Sequence, residues 1–216
     1  DFEFSRGYLI ESYLNIYGDS HAALSLKNLQ IDHRNLFQFS RTMYRIGRDN
    51  QIINFKPEHN SKDRIFCLAY GEVDVRGHVG KQVHYGRHHE TVCRELVNAY
   101  FLTIQRNITE YKAIIIMAIS PPTSAKDHEP CKIHVEAVGG PIPFVGTDSD
   151  RIIYRNFINK LLEEACRIHG YIFFNPYEPY TREDGTLKYE LSDKCIHVGK
   201  NALILSEFEK LMTTLN

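Results

Sequence analysis

Short apolar runs alternate with longer polar-apolar segments along the chain. The short runs stop at glycine, proline or polar residues, which is the pattern of buried strands. They cover residues 14–17, 65–70, 112–119 and 171–175, with a weaker candidate at residues 42–46. The third run contains the triplet Ile114-Ile115-Ile116, whose continuous apolar character is typical of a strand covered on both faces.

The longer segments keep apolar residues three or four positions apart and therefore predict helices. They cover residues 91–107, 150–169 and 201–215, and Gly170 is a natural stop for the second. Alternation of strands and helices favours a mostly parallel sheet with helices on both faces. We therefore predict the α/β class, a three-layer α/β/α sandwich, and a single domain over residues 1–216.

The amino-acid composition and the net charge exclude some classes of partner. The chain has 216 residues, of which 43% are hydrophobic and 25% charged, with a net charge of −1. This balance gives no overall attraction to nucleic acid or to an anionic membrane surface, so neither is expected as a partner. No run of 18 apolar residues occurs, and we expect no membrane insertion.

The five cysteines indicate the compartment. Their number is odd and no pair has the CxxC spacing, so free thiols in a reducing, cytoplasmic environment are expected. The first residues, DFEFSRGYLIESY, are too charged for a secretory signal. We expect that the domain was excised from a longer polypeptide, fused there to other glycan-modifying domains.

Polar residues follow three of the predicted strands. Residues 18–21 read Gly-Asp-Ser-His, residues 71–76 read Gly-Glu-Val-Asp-Val-Arg, and residues 120–122 read Ser-Pro-Pro. The carboxyl ends of parallel strands meet at one edge of a sheet, where ligands bind. All three segments should therefore face one crevice, with the long loop of residues 120–150 above it.

Ser20 is the candidate nucleophile at this crevice. A serine hydroxyl needs a base at neutral pH, which His197 can supply, while Asp193 fixes the imidazole tautomer. The alternative is structural: Asp19 or Ser20 caps a helix that begins near His21. Asp193 and His197 could likewise belong to a surface turn.

In this order, these residues resemble the SGNH (GDSL-like) hydrolase family over nearly the whole chain. Residues 18–20 match its first block, whose serine is the nucleophile, and Gly47 matches the second-block glycine, whose N–H helps to bind the oxyanion. Residues 71–74 stand for the third block. Asp193 and His197 stand for the last block, which supplies acid and base. The resemblance implies a flavodoxin-like sheet.

Two departures from the family pattern concern the chemistry. Three residues instead of two separate Asp193 from His197, and Val73 replaces the third-block asparagine that would donate to the oxyanion. Loss of such a donor costs about 100- to 1,000-fold in rate. Candidates for a replacement donor are Asn15, Asn50 and Asn54.

Residues 71–90 hold an unusual density of histidines and charges. Three interpretations are open: a metal site, a solvated histidine-rich loop, or an anion pocket around Arg76. If this segment is extended, alternate residues share one face and line the crevice, with Arg76 paired to a neighbouring carboxylate. The residues on that face are Glu72, Asp74, Arg76 and His78.

The first functional hypothesis is an esterase that removes an O-acyl group from a carbohydrate, without metal or cofactor. Ser20 attacks, His197 transfers the proton and Asp193 orients His197. The oxyanion and substrate are expected to contact Asp19, His21, Gly47, Gly71, Glu72, Asp74, Arg76 and His78.

Two alternatives belong to other classes. A glycosyltransferase could bind a nucleotide-sugar donor in the crevice and use Asp19, Asp74 or His197 as the base. An inactive carbohydrate-binding module would keep the fold without the chemistry.

Overall fold

The computed structural model describes residues 13–128 and 144–215, and these contain a five-stranded parallel sheet. Its strands are β1 (Leu14–Gly18), β2 (His33–Asn35), β3 (Ile65–Ala69), β4 (Ala113–Met117) and β5 (Ile172–Phe174). They lie in the order β2-β1-β3-β4-β5. The four main runs in the sequence are confirmed as strands, whereas β2 was not predicted.

Helices cover both faces of the sheet. They are α1 (Ser20–Ser25), α2 (Met43–Asp49), α3 (Val79–His84), α4 (His89–Asn107), α5 (Asp148–His169) and α6 (Ala202–Leu215), and a π-helical turn (Asp74–His78) leads into α3. The three predicted helices correspond to α4, α5 and α6, and α5 stops at Gly170 as expected.

Alternation of side chains along the strands builds two hydrophobic cores. Phe66 and Leu68 of β3 pack in the core beneath α2, α4 and α5. Ile65 and Cys67, which alternate with them in sequence, pack in the core beneath α1 and α6. The result is the three-layer α/β/α arrangement that the sequence predicts.

The weak strand candidate at residues 42–46 is wrong, because this segment forms the start of α2. Thr42 caps the helix by accepting a hydrogen bond from Arg45 N at 3.0 Å. The carboxylate of Asp74 accepts hydrogen bonds from Met43 N at 2.6 Å and Tyr44 N at 3.0 Å. These partners satisfy backbone groups that a helix start leaves unpaired, so contacts from a distant segment decide the local structure.

The extended conformation considered for residues 72–78 is also wrong. Glu72 and Val73 are helical, and the π-helical turn follows directly. In a helix, positions two apart point to nearly opposite sides, whereas positions four apart are neighbours. Glu72 therefore meets Arg76, while Asp74 turns to α2.

Three further observations concern the described residues. Cys67, Cys93 and Cys166 are free and buried, and Cys195 is buried. No helix among these residues is long and apolar enough to cross a bilayer. Cys131 and the middle of the expected lid loop, residues 129–143, lie outside the described residues.

Candidate active site

Ser20 is presented by the junction between β1 and α1. The strand ends at Gly18, and Asp19 caps the helix by accepting a hydrogen bond from His21 N at 2.8 Å. Ser20 then occupies the first helical position, half-buried. The capping interpretation thus holds for Asp19, and it leaves the Ser20 hydroxyl available.

Asp193 and His197 share one turn. Asp193 Oδ1 accepts hydrogen bonds from Cys195 N at 2.8 Å and from His197 N at 3.0 Å, and Asp193 N donates to His197 O at 2.9 Å. Asp193 Oδ2 lies 2.8 Å from His197 Nδ1. The turn accommodates the additional residue of the last block and keeps the carboxylate on the imidazole.

His197 reaches the other end of the chain at Ser20. Its Nε2 lies 2.9 Å from Ser20 Oγ, within hydrogen-bond distance. The His197 side chain is 1% exposed, and this burial lowers its pKa to about 4. Burial raises the pKa of Asp193, but hydrogen bonds from His197 outweigh it, so the pKa is lowered. At neutral pH a neutral imidazole therefore lies between an ionised carboxylate and the hydroxyl, which is the arrangement that a proton transfer from Ser20 requires.

A second charged network lies beside these three residues. Arg76 Nε donates to both carboxylate oxygens of Glu72, at 2.8 and 3.2 Å. Glu72 Oε2 in turn lies 2.8 Å from His21 Nε2. All three side chains are buried. The expected pairing of Arg76 with a neighbouring carboxylate is observed, with Glu72 as the partner.

Ionisation in this network is set by the partners. Burial would raise the pKa of Glu72, but Arg76 and His21 hold it well below the usual range. Burial opposes the charged form of His21, yet the neighbouring Glu72 raises its pKa. The His21 ring packs on the His197 ring with 4.5 Å between centroids. Two carboxylate–imidazole pairs therefore meet beside Ser20.

Three of the expected crevice residues have other positions or roles. Asp74 is fully buried and holds the start of α2. His78 stacks on Tyr44 with 4.1 Å between ring centroids. Gly47 lies inside α2 against α4, where a Cβ would stand 2.7 Å from Ala99 Cβ. Gly47 and His78 line a separate groove between α2, α3 and α4, so we remove Asp74, His78 and Gly47 from the oxyanion and substrate set.

The backbone conformation and the surroundings of Gly71 require a glycine at this position. Its φ of +123° is unfavourable for residues with a side chain, and a Cβ would stand 2.6 Å from Ile119 Cδ1. Gly71 thus lets the chain turn sharply after β3 and places Glu72 opposite His21. This agrees with its place in a site block, although no contact of Gly71 with a substrate follows from it.

Sequence reasoning placed Ser120 at the crevice but assigned no role to it or to Tyr70, and both lie at a small pocket beside the carboxyl ends of β1, β3 and β4. Tyr70 and Ser120 line it together with Asp19, His21 and Glu72. Among residues 13–128 and 144–215, Asp19 Oδ2, His21 Nδ1, Tyr70 Oη and Ser120 Oγ have no hydrogen-bond partner. Burial raises the pKa of Asp19 to about 6. Only the position of Tyr70 and Ser120 after strands could have indicated them.

The candidate replacement donors lie elsewhere. Asn50 ends α2 and accepts a hydrogen bond from Arg106 at 3.0 Å. Asn54 donates to Leu36 O, and Asn15 is buried inside β1. None of the three is therefore assigned to an oxyanion.

The remaining histidines of residues 71–90 do not build a metal site in the described part of the chain. His84 and His88 are exposed at the ends of α3 and α4, which agrees with the solvated interpretation for these two. No group of three His, Cys, Asp or Glu side chains suited to a metal ion occurs among the described residues.

Comparison with solved structures decides the fold. A Streptococcus pneumonia protein, provisionally described as a platelet activating factor, superposes with a TM-score of 0.60 at 15% identity, over 98% of this chain and 87% of that chain. A GDSL-like lipase from Bacteroides thetaiotaomicron gives 0.59 at 12% identity, over 95% and 89%. The chain has a divergent SGNH-like fold.

The same fold also occurs in the OSK domain of Drosophila Oskar, with a TM-score of 0.52 at 12% identity, over 94% of this chain and 88% of that domain. No protein-family model matches the sequence, and a comparison with curated proteins gives no match either. At such identities the likeness concerns the SGNH-like fold, and activity has to be argued from the site.

Proposed function

We propose that the chain is a hydrolase that cleaves an O-acyl ester of a carbohydrate by a Ser-His-Asp mechanism. The observation that carries the proposal is the continuous series from Ser20 Oγ to His197 Nε2, 2.9 Å, and from His197 Nδ1 to Asp193 Oδ2, 2.8 Å. The SGNH-like fold supports it, because the solved proteins that share this fold include a GDSL-like lipase.

The mechanism follows from these contacts. Ser20 Oγ attacks the ester carbonyl carbon while its proton passes to His197 Nε2, and Asp193 stabilises the imidazolium that forms. The tetrahedral intermediate then expels the sugar hydroxyl, which takes the proton from His197. Water, deprotonated by His197, attacks the acyl-serine, releases the carboxylic acid and restores Ser20.

The oxyanion has fewer donors here than the family pattern implies. Ser20 N lies at the first position of α1, where an N–H group has no partner within the helix. Val73 carries no side-chain donor, and Gly47 lies inside α2. We therefore expect an esterase slower by about 100-fold or more than a site with the full donor set.

The polar pocket at the strand ends has room for about one water molecule. Tyr70 Oη and Ser120 Oγ both donate and accept hydrogen bonds, and they line the pocket with Asp19 and small alanine side chains. Such a pocket does not admit a long acyl chain, which favours a short acyl group in the proposed ester.

The test is covalent labelling of the purified chain with a serine-directed fluorophosphonate. We expect label on Ser20, no label after Ser20→Ala, and unchanged labelling after Ser61→Ala, because Ser61 precedes β3 at the other end of the sheet. Hydrolysis of acetylated sugars should be lost with the label. Absence of labelling in the folded parent protein would refute the hydrolase proposal.

The glycosyltransferase alternative loses part of its basis, since most of the histidines that suggested a basic crevice lie on α3 and α4. It would still have Asp19 or His197 as a base. Stabilisation by uridine or guanosine diphosphate in a thermal shift assay, without fluorophosphonate labelling, would favour it.

A further inference from the structure

The buried series Arg76–Glu72–His21 is more than a salt bridge, because it ends on the face of the candidate base. Arg76 holds Glu72 through Nε, Glu72 lies 2.8 Å from His21, and the His21 ring lies 4.5 Å from the His197 ring. Burying three ionisable side chains is unfavourable unless they pair closely. Their placement beside His197 therefore needs a functional explanation.

We propose that this series positions His197: the His21 imidazole packs on the His197 ring as a fixed positive charge and holds His197 in the neutral form that accepts the Ser20 proton. His21 is thus a positioning residue that acts through His197. Glu72 keeps His21 charged, and Arg76 keeps Glu72 ionised and in place.

The surrounding charges agree with this assignment. His21 faces Glu72, Asp19 and, one residue further, Arg76. His197 faces His21 on its ring and Asp193 at Nδ1, with Glu72 beyond His21. Burial raises the pKa of Asp19 to about 6. Glu72 is therefore the anion that remains ionised throughout the neutral range, and its charge raises the pKa of His21.

Arg151 is a further buried positive charge that acts on Glu72. It is buried, pairs with Asp148 and donates to Gly146 O at 2.8 Å. Its positive charge acts on Glu72 in the same direction as Arg76. Both arginine charges therefore favour the ionised form of Glu72, beside which the pKa of His21 is raised.

The inference rests on the proposed function only in taking His197 as the base, and its test does not need turnover. NMR titration of ¹⁵N-histidine in the whole chain follows each imidazole directly. In the parent protein, His21 should keep its proton to a higher pH than free histidine and His197 should lose its proton at a lower pH. A parent protein in which His21 is neutral at pH 6.5 would overturn the proposal without any variant.

Variants separate charge from packing. His21→Phe keeps a ring against His197 but removes the charge, so the His197 titration midpoint should rise by about 1–2 pH units. Arg76→Lys keeps a positive charge beside Glu72 and should leave the midpoint closer to the parent value. His78→Asn is the matched control, since His78 stacks on Tyr44 and not on His197.

The outcomes are distinct for the two proposals. A His197 midpoint that stays unchanged in folded His21→Phe, as judged by circular dichroism, refutes the positioning function. Expected shifts without any fluorophosphonate labelling refute the hydrolase and leave the positioning function standing.

Discussion

Gly18 pairs with Ala69 at the last position of the β1–β3 ladder. Because the two strands are parallel and end level, Ser20 and Glu72 leave the sheet side by side. Asp19 N continues the contact by donating to Ala69 O at 3.3 Å. This register explains why Ser20 and His21 meet Glu72 and Arg76, although about 50 residues separate the two pairs in the sequence.

Asp193→Asn should reduce kcat by about 10⁴-fold while the fold is retained. The amide can still accept the backbone hydrogen bonds of the turn, but its NH₂ group faces His197 Nδ1 and favours the tautomer that cannot accept the Ser20 proton. Hydrolysis of an acetylated sugar measures the effect. Asp184→Asn, in an exposed turn that binds Thr186 N at 2.9 Å, is the control and should leave kcat unchanged. A loss below tenfold would contradict the assignment of Asp193.

The acid limb of kcat/KM should lie well below the usual histidine range. Burial lowers the pKa of His197 to about 4, so the imidazole remains neutral, and competent as a base, down to about that pH. Activity should therefore persist at pH 5.5 and fall as the pH approaches 4. A midpoint near 6.5 in the pH profile would show that His197 is not the buried group that the structure contains.

The lowered pKa of His197 should also change the stability of the fold with pH. The folded pKa of His197 lies below its unfolded value of 6.5, so the unfolded chain binds the additional proton between the two values. This residue should therefore reduce the free energy of unfolding as the pH falls from about 6.5 to about 4. Urea denaturation of the parent and of His197→Gln at both pH values isolates the effect as a difference.

Asp74 should affect the pH dependence of stability in the direction opposite to His197, and Asp74→Asn should remove this effect. Burial raises the pKa of Asp74 to about 7, above its unfolded value of 3.8, so the folded chain holds the additional proton between these values. The parent should lose stability relative to the variant, by about 1 kcal/mol or more, as the pH rises from 4 to 7. Urea denaturation of the parent and of the variant at both pH values checks this.

Gly47→Ala should destabilise the fold without disrupting the contact between Ser20 and His197. The new Cβ would stand 2.7 Å from Ala99 Cβ, and such overpacking costs about 1–3 kcal/mol. Ala99→Gly in the same chain removes the clash, so the double variant should be more stable than the two single effects add up to. Chemical denaturation measures the cycle. Strict additivity would show that α2 and α4 do not meet at this pair.

The elements that sequence could predict are those decided by local pattern. The four apolar strands and the helices α4 to α6 bury continuous or periodic hydrophobic positions, and the Gly-Asp-Ser start and the Asp193/His197 pair follow the order of a family pattern. β2 consists of His-Arg-Asn, which carries no apolar signal.

The elements that were missed depend on distant partners. The first turn of α2 is helical because Asp74 caps it, and Asp74 lies about 30 residues further along the chain. Residues 72–78 alternate apolar and charged side chains, a pattern that fits a strand, but the pairing of Glu72 with both Arg76 and His21 requires a helical turn. Gly47 resembles a block glycine in sequence, yet its identity is explained by its contact with Ala99 of α4.

The turn that carries Asp193 and His197 closes on itself, with Ser192 and Val198 bridged as antiparallel partners. Acid and base therefore move together, and a displacement of this turn changes the distance of His197 from Ser20 and from the His21 ring. An inactive conformer would keep a complete Asp193–His197 pair while its imidazole lies out of reach of the nucleophile.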